Sequence, residues 1–507
     1  MIVVLAGGLA ACGTAQRIGD PAPTTATSAP VMQGLPAGFG AGPPGQGLAR
    51  YYHQQVTWTP CGDSDKCASV WVPLDYVHPD GLAITIRAKM RPSGDPAHAF
   101  GTIFVNPGGP GRSGIAFLDR VDFAAPVTSE SQVVGFDPRG VGESTPVHCL
   151  PSRELDAYVA ADRSPDSPSE IATLLRMQRH FARGCVRESG PLLSHVSTIE
   201  AARDMDILRS VVLDPYLNYY GASYGTGLGA TYAALFPHRV GRMVLDGGVD
   251  PDQPPHARAL GQTIALQTAL TAYLTDCVSG KHCPLGGNVT AAQMHLIELF
   301  RQIDADPLPT ASGRDLTEGL AFSGLVQGLS SRARWSVETR ALDQALAGSG
   351  DALLSLSDRY VGRDRSGSYI DNRVEAQAAV SCLDHPDRRS LADIQARSSE
   401  LLEASPVFGS AATWLPAACA SWPTVPTLPR LDYSAPGARP ILVIGTTHDA
   451  ATPYQGAVNL ADEIDGGVLL THTGEGHPAY GSGNVCIEDA VNFYLTNGRP
   501  PADGARC

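Results

Sequence analysis

Leu217-Asn218-Tyr219-Tyr220-Gly221-Ala222-Ser223-Tyr224-Gly225-Thr226 is the stretch on which the reading of this chain turns. It starts as a short strand-like run, and Gly221 to Gly225 then match G-x-S-x-G, the only such match in the chain. Small residues from Thr226 to Phe236 continue as a helix. A strand, a sharp turn and a helix in that order hold a serine hydroxyl at the top of a sheet, on strained backbone. Flanking side chains would collide there with neighbouring elements, and the two glycines remove them. Ser223 is therefore the candidate nucleophile.

Working outward, Ala68–Leu74, Leu82–Met90, Gly101–Asn106 and Gln132–Asp137 read as strands. The last two are continuous apolar runs, as expected of parallel strands buried on both faces. Ser197-Thr198-Ile199-Glu200 is a capping-box pattern that opens a helix to about Val212. Arg242–Leu245 is the strand after the G-x-S-x-G turn. This alternation predicts a doubly wound, mostly parallel α/β sheet over 51–250. Helical periodicity then takes over, in Ala257–Val278, Ala291–Ile303, Leu316–Ala347, Arg373–Leu383 and Leu391–Leu402. Pro440–Gly445 and Gly467–Thr471 restore the strands, and Val485–Leu495 closes as a helix. The expected organisation is an α/β core in two pieces, 51–250 and 436–507, interrupted by a large helical cap over 251–435.

The chain has 507 residues, with 51 acidic against 37 basic side chains and a formal charge of −14. It has no clustered Lys and Arg, so a nucleic-acid surface is excluded, as is a cationic helix lying on a membrane. No apolar run reaches the roughly 18 residues that span a bilayer. Residues 2–11 form a short apolar stretch, and Leu9-Ala10-Ala11-Cys12 has the form of a bacterial lipobox. The expectation is a leader over 1–12 with Cys12 lipidated. A flexible Pro/Ala/Thr/Gly-rich linker over 13–50 would then tether an extracellular or cell-surface protein. Membrane contact would come only through that anchor.

Ten further cysteines, an even number in an exported chain, read as disulfides. Short loops favour Cys61–Cys67 and Cys277–Cys283. Neighbour order then suggests Cys149–Cys185, Cys382–Cys419 and Cys486–Cys507. No CxxC pair begins a zinc ligand set, so no metal is expected.

A serine nucleophile needs a base, and the base needs an orienting carboxylate. In hydrolases built on such a turn the chain order is serine, acid, histidine. Asp449, in Thr447-His448-Asp449-Ala450, follows a late strand, and His477, in Gly474-Glu475-Gly476-His477, follows the next. Both sit at carboxyl ends of strands, where open α/β sheets place their sites. Asp246 and Asp250 are the rival acids, and His448 and His472 the rival bases. One oxyanion donor should be the Tyr224 amide and the other an amide of the loop Asn106-Pro107-Gly108-Gly109-Pro110-Gly111, with Gly109 favoured over Gly108. The same loop, Gly109 to Gly114, is formally G-x-G-x-x-G, the outline of a dinucleotide fingerprint. Pro110 removes a donor where a phosphate would bind, so no nucleotide cofactor is expected.

With these residues assembled, the chain resembles the secreted tripeptidyl aminopeptidase and proline iminopeptidase-like branch of the α/β-hydrolases. Asn106–Gly111 is similar to that branch's HGGPG element, with Pro107 where its histidine stands. Gly135–Ser144 is similar to its D-x-R-G-x-G-x-S turn, and Tyr220–Thr226 and Val244–Pro251 to its nucleophile turn and following strand. The resemblance implies a monomeric, cofactor-free serine exopeptidase that removes tripeptides or shorter from free N-termini through an acyl-enzyme. It also implies a fixed anion for the substrate's ammonium, with Glu143, Glu375 and Asp384 as candidates. A carboxylic ester hydrolase or lipase using the same three residues is the alternative.

Overall fold

The computed structural model describes residues 37–97, 99–423 and 429–507. The leader, Cys12 and the first part of the linker lie outside them. The described chain contributes β1 (Phe39–Gly40), β2 (Thr59–Pro60), β3 (Lys66–Pro73), β4 (Ala83–Arg91), β5 (Thr102–Asn106), β6 (Gln132–Phe136), β7 (Leu217–Ala222), β8 (Val240–Asp246), β9 (Ile441–His448), β10 (Gly467–Glu475) and β11 (Ala505–Arg506). They form one sheet in the order β11-β10-β9-β8-β7-β5-β6-β4-β3-β2, with β1 paired to β4. Strands β5 to β11 pair in parallel, and β1 to β4 make the antiparallel end. This is the mostly parallel, doubly wound sheet expected of an α/β-hydrolase.

Burial follows from the sequence of each strand. Every residue of β5 and of β7 is buried, whereas β4 (AITIRAKMR) alternates along most of its length. Successive side chains point to opposite faces. Ile103 and Val105 therefore join Val244, Leu442, Ile444 and the closing helix Val485–Asn497 on one face. Phe104, between them, joins Tyr219, Leu245 and Val443 on the other, beneath the helices Thr198–Val211 and Tyr224–Leu235.

Between β8 and β9 the chain is helical, from Pro255–Ser279 through Arg373–Asp384 to Ala417–Ala420. The continuous helix expected over 316–347 is instead two, Glu318–Leu329 and Trp335–Leu346. Ser330 and Ser331 interrupt the apolar run, and a tight turn at Arg332–Arg334 reverses the chain. The helices Pro168–Ser189 and Asp351–Val361 were not anticipated, although Ser167 and Glu170 make a full capping box at the start of the first. Five disulfides join Cys61–Cys67, Cys149–Cys185, Cys277–Cys283, Cys382–Cys419 and Cys486–Cys507. No helix among the described residues is long and apolar enough to cross a membrane.

Arg139 ties the layers together. Its guanidinium is fully buried and engages both oxygens of Asp204 at 2.7 Å. The remaining N–H groups donate to the carbonyls of Pro73, Leu74 and His195 at 2.9–3.1 Å. Removing one partner of a buried pair leaves the other charge uncompensated. Arg139→Ala is therefore expected to destabilise the fold by about 3–5 kcal/mol, read as a lowered denaturation midpoint in urea.

Candidate active site

Ser223 occupies the turn between β7 and the helix Tyr224–Leu235 with φ 59° and ψ −130°. Such backbone is strained for a residue with a Cβ and persists only where the surroundings over-determine it. The Ser223 amide donates to the Asp246 carbonyl at the end of β8, 2.9 Å away. A Cβ on Gly221 would lie 2.4 Å from the Gly225 carbonyl oxygen, and one on Gly225 would lie 2.8 Å from that of Asn106. The turn closes this tightly only because both flanks lack side chains. The Ser223 hydroxyl has no hydrogen-bond partner among the described residues.

Parallel pairing of β9 and β10 sets His448 opposite Glu475. The loops that follow the two strands therefore begin side by side, and this brings Asp449 and His477 together. His477 Nδ1 lies 2.7 Å from Asp449 Oδ2. Asp449 is 2% exposed. Its Oδ1 accepts from the amides of Ala451 (2.8 Å) and Thr452 (2.9 Å), and its Oδ2 from the Thr452 hydroxyl (2.9 Å). The His477 amide donates to the Ser330 carbonyl, so the break between the two helices of 318–346 supports this loop. The imidazole ring packs on Gly247, where a Cβ would lie 3.0 Å from Cε1. Gly247 follows Asp246, whose carbonyl holds the Ser223 amide. Burial acts to lower the His477 pKa, but the Asp449 carboxylate, its hydrogen bond and Asp246 outweigh it, and the net shift is upward.

The rivals have other partners. His448 pairs with Glu475 at 2.6 Å, and His472 is buried beside Thr446 with its pKa pushed down by desolvation. Asp250 accepts from the Asn459 side chain at 2.9 Å. Asp246 is fully buried and accepts from the amides of Ala479 (3.0 Å) and Tyr480 (2.8 Å) and the Tyr220 hydroxyl (2.9 Å). It thus fixes the loop immediately after His477, a positioning role that its place at a strand end did not reveal. Asp246→Asn would face two amide donors with, at best, one carbonyl oxygen. A misplacement of about 1 Å at a reacting group costs roughly 10²-fold, so a fall in kcat of about 10- to 100-fold is expected, with KM little changed.

The loop after β5 approaches the turn closely. Gly108, at φ +84°, has its Cβ direction 2.7 Å from the Tyr224 amide nitrogen and 2.9 Å from Ser223 Cβ. Its own amide is occupied by Asn106 Oδ1 at 2.8 Å. Among the described residues the amides of Gly109 and Tyr224 have no acceptor.

Of the three candidate anchors, Glu143 stands on the surface against Arg87 at 3.2 Å. Glu375 accepts from the amides of Cys149 (2.5 Å) and Leu150 (3.1 Å). Both acids are therefore committed elsewhere. Asp384 differs: it accepts from the amide and hydroxyl of Thr198, and the same hydroxyl meets the Tyr224 phenol. Burial pushes the Asp384 carboxyl up to about 6, against the hydrogen bonds of Thr198 and the charge of Arg258. Beside it His385 is pushed down to about 3 by burial, then by Arg258. Tyr224, Asp384, His385 and Arg258 are each desolvated yet keep part of their surface open. Among the described residues no cluster of three or more His, Cys, Asp or Glu could hold a metal.

The family of TAP-like proteins matches residues 405–507, the segment that carries Asp449 and His477. Over most of its length the chain is similar to Serine protease Hip1 of Mycobacterium tuberculosis, at 35% identity over 485 residues, 90% of this chain and 91% of the relative. It is similar to Carboxylesterase B of the same species at 35% over 478 residues, 89% and 90% of the two chains. Tripeptidyl aminopeptidase of Streptomyces lividans is 31% identical over 452 residues, 87% and 83% of the two chains.

Proposed function

The chain belongs to the TAP-like family of α/β-hydrolases and is a serine hydrolase; from that premise we propose that it is an exported exopeptidase acting on short peptides with free N-termini. The observation that carries the catalytic reading is the 2.7 Å contact of His477 with Asp449 on a loop packed beside the strained Ser223 turn. Ser223 Oγ attacks the substrate carbonyl while His477 Nε2 takes its proton. Asp449 holds the imidazole with its proton on Nδ1 and stabilises the imidazolium that forms. The amides of Tyr224 and Gly109 receive the oxyanion. His477 then hands the proton to the leaving amine, and water releases the acyl group by the reverse sequence.

Asp384 supports the exopeptidase part. It is a carboxylate linked to the nucleophile turn through Thr198 and Tyr224, at the C-terminal end of the helix Arg373–Asp384. An ammonium seated there would keep it ionised and fix the distance from the N-terminus to the scissile bond. Five disulfides and the Cys12 lipobox support export to an oxidising compartment, with the lipid as anchor.

A panel of mono-, di- and tripeptidyl chromogenic amides, with free and acetylated N-termini, tests the reading. Cleavage of the free-amine series with at least about tenfold preference over the acetylated one is expected, since an ion pair to a buried carboxylate is lost. The similarity to Carboxylesterase B keeps an ester hydrolase as the second reading. Hydrolysis of short acyl esters with no amide cleaved would establish it in place of the first.

A further inference from the structure

β10 does not pair evenly with β9 all the way to the active site. Thr471 and His472 face Gly445 and Thr446, and Glu475 faces His448, so Thr473 and Gly474 together stand opposite Thr447. One extra residue on one strand is a β-bulge, an irregularity that re-aims side chains beside active sites. This bulge lies just ahead of His477 on its strand, and Thr447, opposite it, lies just ahead of Asp449.

The Thr447 side chain spans the bulge. Its hydroxyl accepts from the Gly474 amide at 3.1 Å and donates to the Gly474 carbonyl at 3.3 Å, so it grips both backbone groups of one residue. A side chain at Gly474 is excluded, since its Cβ would lie 2.8 Å from His472 Nε2. The Thr473 amide turns to the other side and donates to the Cys507 carbonyl at 2.8 Å. One step further on, His448 meets Glu475 at 2.6 Å, but His448 is exposed, and an exposed ion pair holds geometry weakly. Gly476, at φ +107°, then turns the chain into His477. Beyond His477, Asp246 holds the amides of Ala479 and Tyr480. The imidazole is thus placed by two anchors, Asp246 after it and Thr447 before it.

We propose that Thr447 is a positioning residue of the hydrolytic reaction: by gripping Gly474 across the bulge, it sets the loop that carries His477 against the loop that carries Asp449. It touches neither substrate nor the reacting atoms, and acts only through the 2.7 Å contact of His477 with Asp449. Without the hydroxyl the Gly474 peptide is free to shift, and a hydrogen bond weakens steeply once its distance and angle are lost. The inference rests on the catalytic reading of those two residues above, and it holds for amide and ester substrates alike.

Thr447→Val removes the hydroxyl and keeps the β-branched shape, whereas Thr447→Ser keeps the hydroxyl. Turnover is read on the best substrate among the chromogenic amides and short acyl esters, per folded molecule as counted by near-ultraviolet circular dichroism. Thr447→Val is expected to lower kcat about 10-fold with KM within about twofold, part of the roughly 10²-fold that a 1 Å misplacement costs. Thr447→Ser restores most of the loss. In Thr447→Val the acid limb of kcat/KM moves to lower pH, because a displaced Asp449 carboxylate supports the His477 imidazolium less. In an Asp449→Asn background, where the carboxylate of that contact is gone, the same change costs less than about twofold, since residues acting through one contact are not additive. An equal loss in both backgrounds, or an acid limb that stays in place, marks a structural effect alone and overturns the proposal. A folded Thr447→Val protein with wild-type kcat overturns it as well. Full turnover in Asp449→Asn overturns the catalytic reading itself, and this inference with it.

Discussion

Ser223→Ala is expected to lower kcat by about 10⁶-fold on amides and esters alike, since removing the nucleophile of a serine–histidine–aspartate set costs about as much as removing all three members. The residue sits at φ 59°, and alanine bears the same Cβ, so the backbone strain is unchanged. Its amide bond to the Asp246 carbonyl and the packing of Gly221 and Gly225 are also untouched. The hydroxyl holds no hydrogen bond whose loss would loosen the fold. The thermal midpoint should therefore stay within a few degrees of wild type while fluorophosphonate labelling disappears. Turnover near the wild-type level in a folded Ser223→Ala protein would remove this site from consideration.

Asp449→Asn is the second large effect, about 10⁴-fold in kcat. Asp449 Oδ1 is held by the amides of Ala451 and Thr452. An asparagine satisfies those amides with its carbonyl and turns its NH₂ toward His477 Nδ1. The imidazole must then accept at Nδ1 and carry its proton on Nε2, the atom that has to take the proton from Ser223.

The pH profile separates this from simple disruption. His477 must be neutral to act as base, so kcat/KM rises with pH as the imidazolium loses its proton. In the wild type the folded pKa is raised, and the acid limb should lie above the ordinary imidazole value of about 6.5. The Asp449 carboxylate is the chief group opposing the burial of His477. In Asp449→Asn burial acts with far less opposition, and the limb of the residual activity should move to lower pH. A limb at the same pH in both proteins would show that Asp449 does not set the His477 charge.

Much of this molecule is legible in one dimension because the decisive signals are local. The all-buried runs of β5 and β7, the glycine-flanked serine after β7 and the capping box at Ser197 each need only a few neighbouring residues. Sheet class, nucleophile turn and the helical character of the segment between β8 and β9 follow from them. Choices among residues of the same type were different, because they depend on register and on helix phase. Asp246 and Asp449 both end or follow apolar strands. The parallel pairing of β9 with β10 decides that Asp449 meets the His477 ring, while Asp246 receives the amides behind it. Glu375 and Asp384 lie nine residues apart on one helix, two and a half turns, and so on opposite faces. One face meets the amides of 149 and 150, and the other meets Thr198 beside the nucleophile turn.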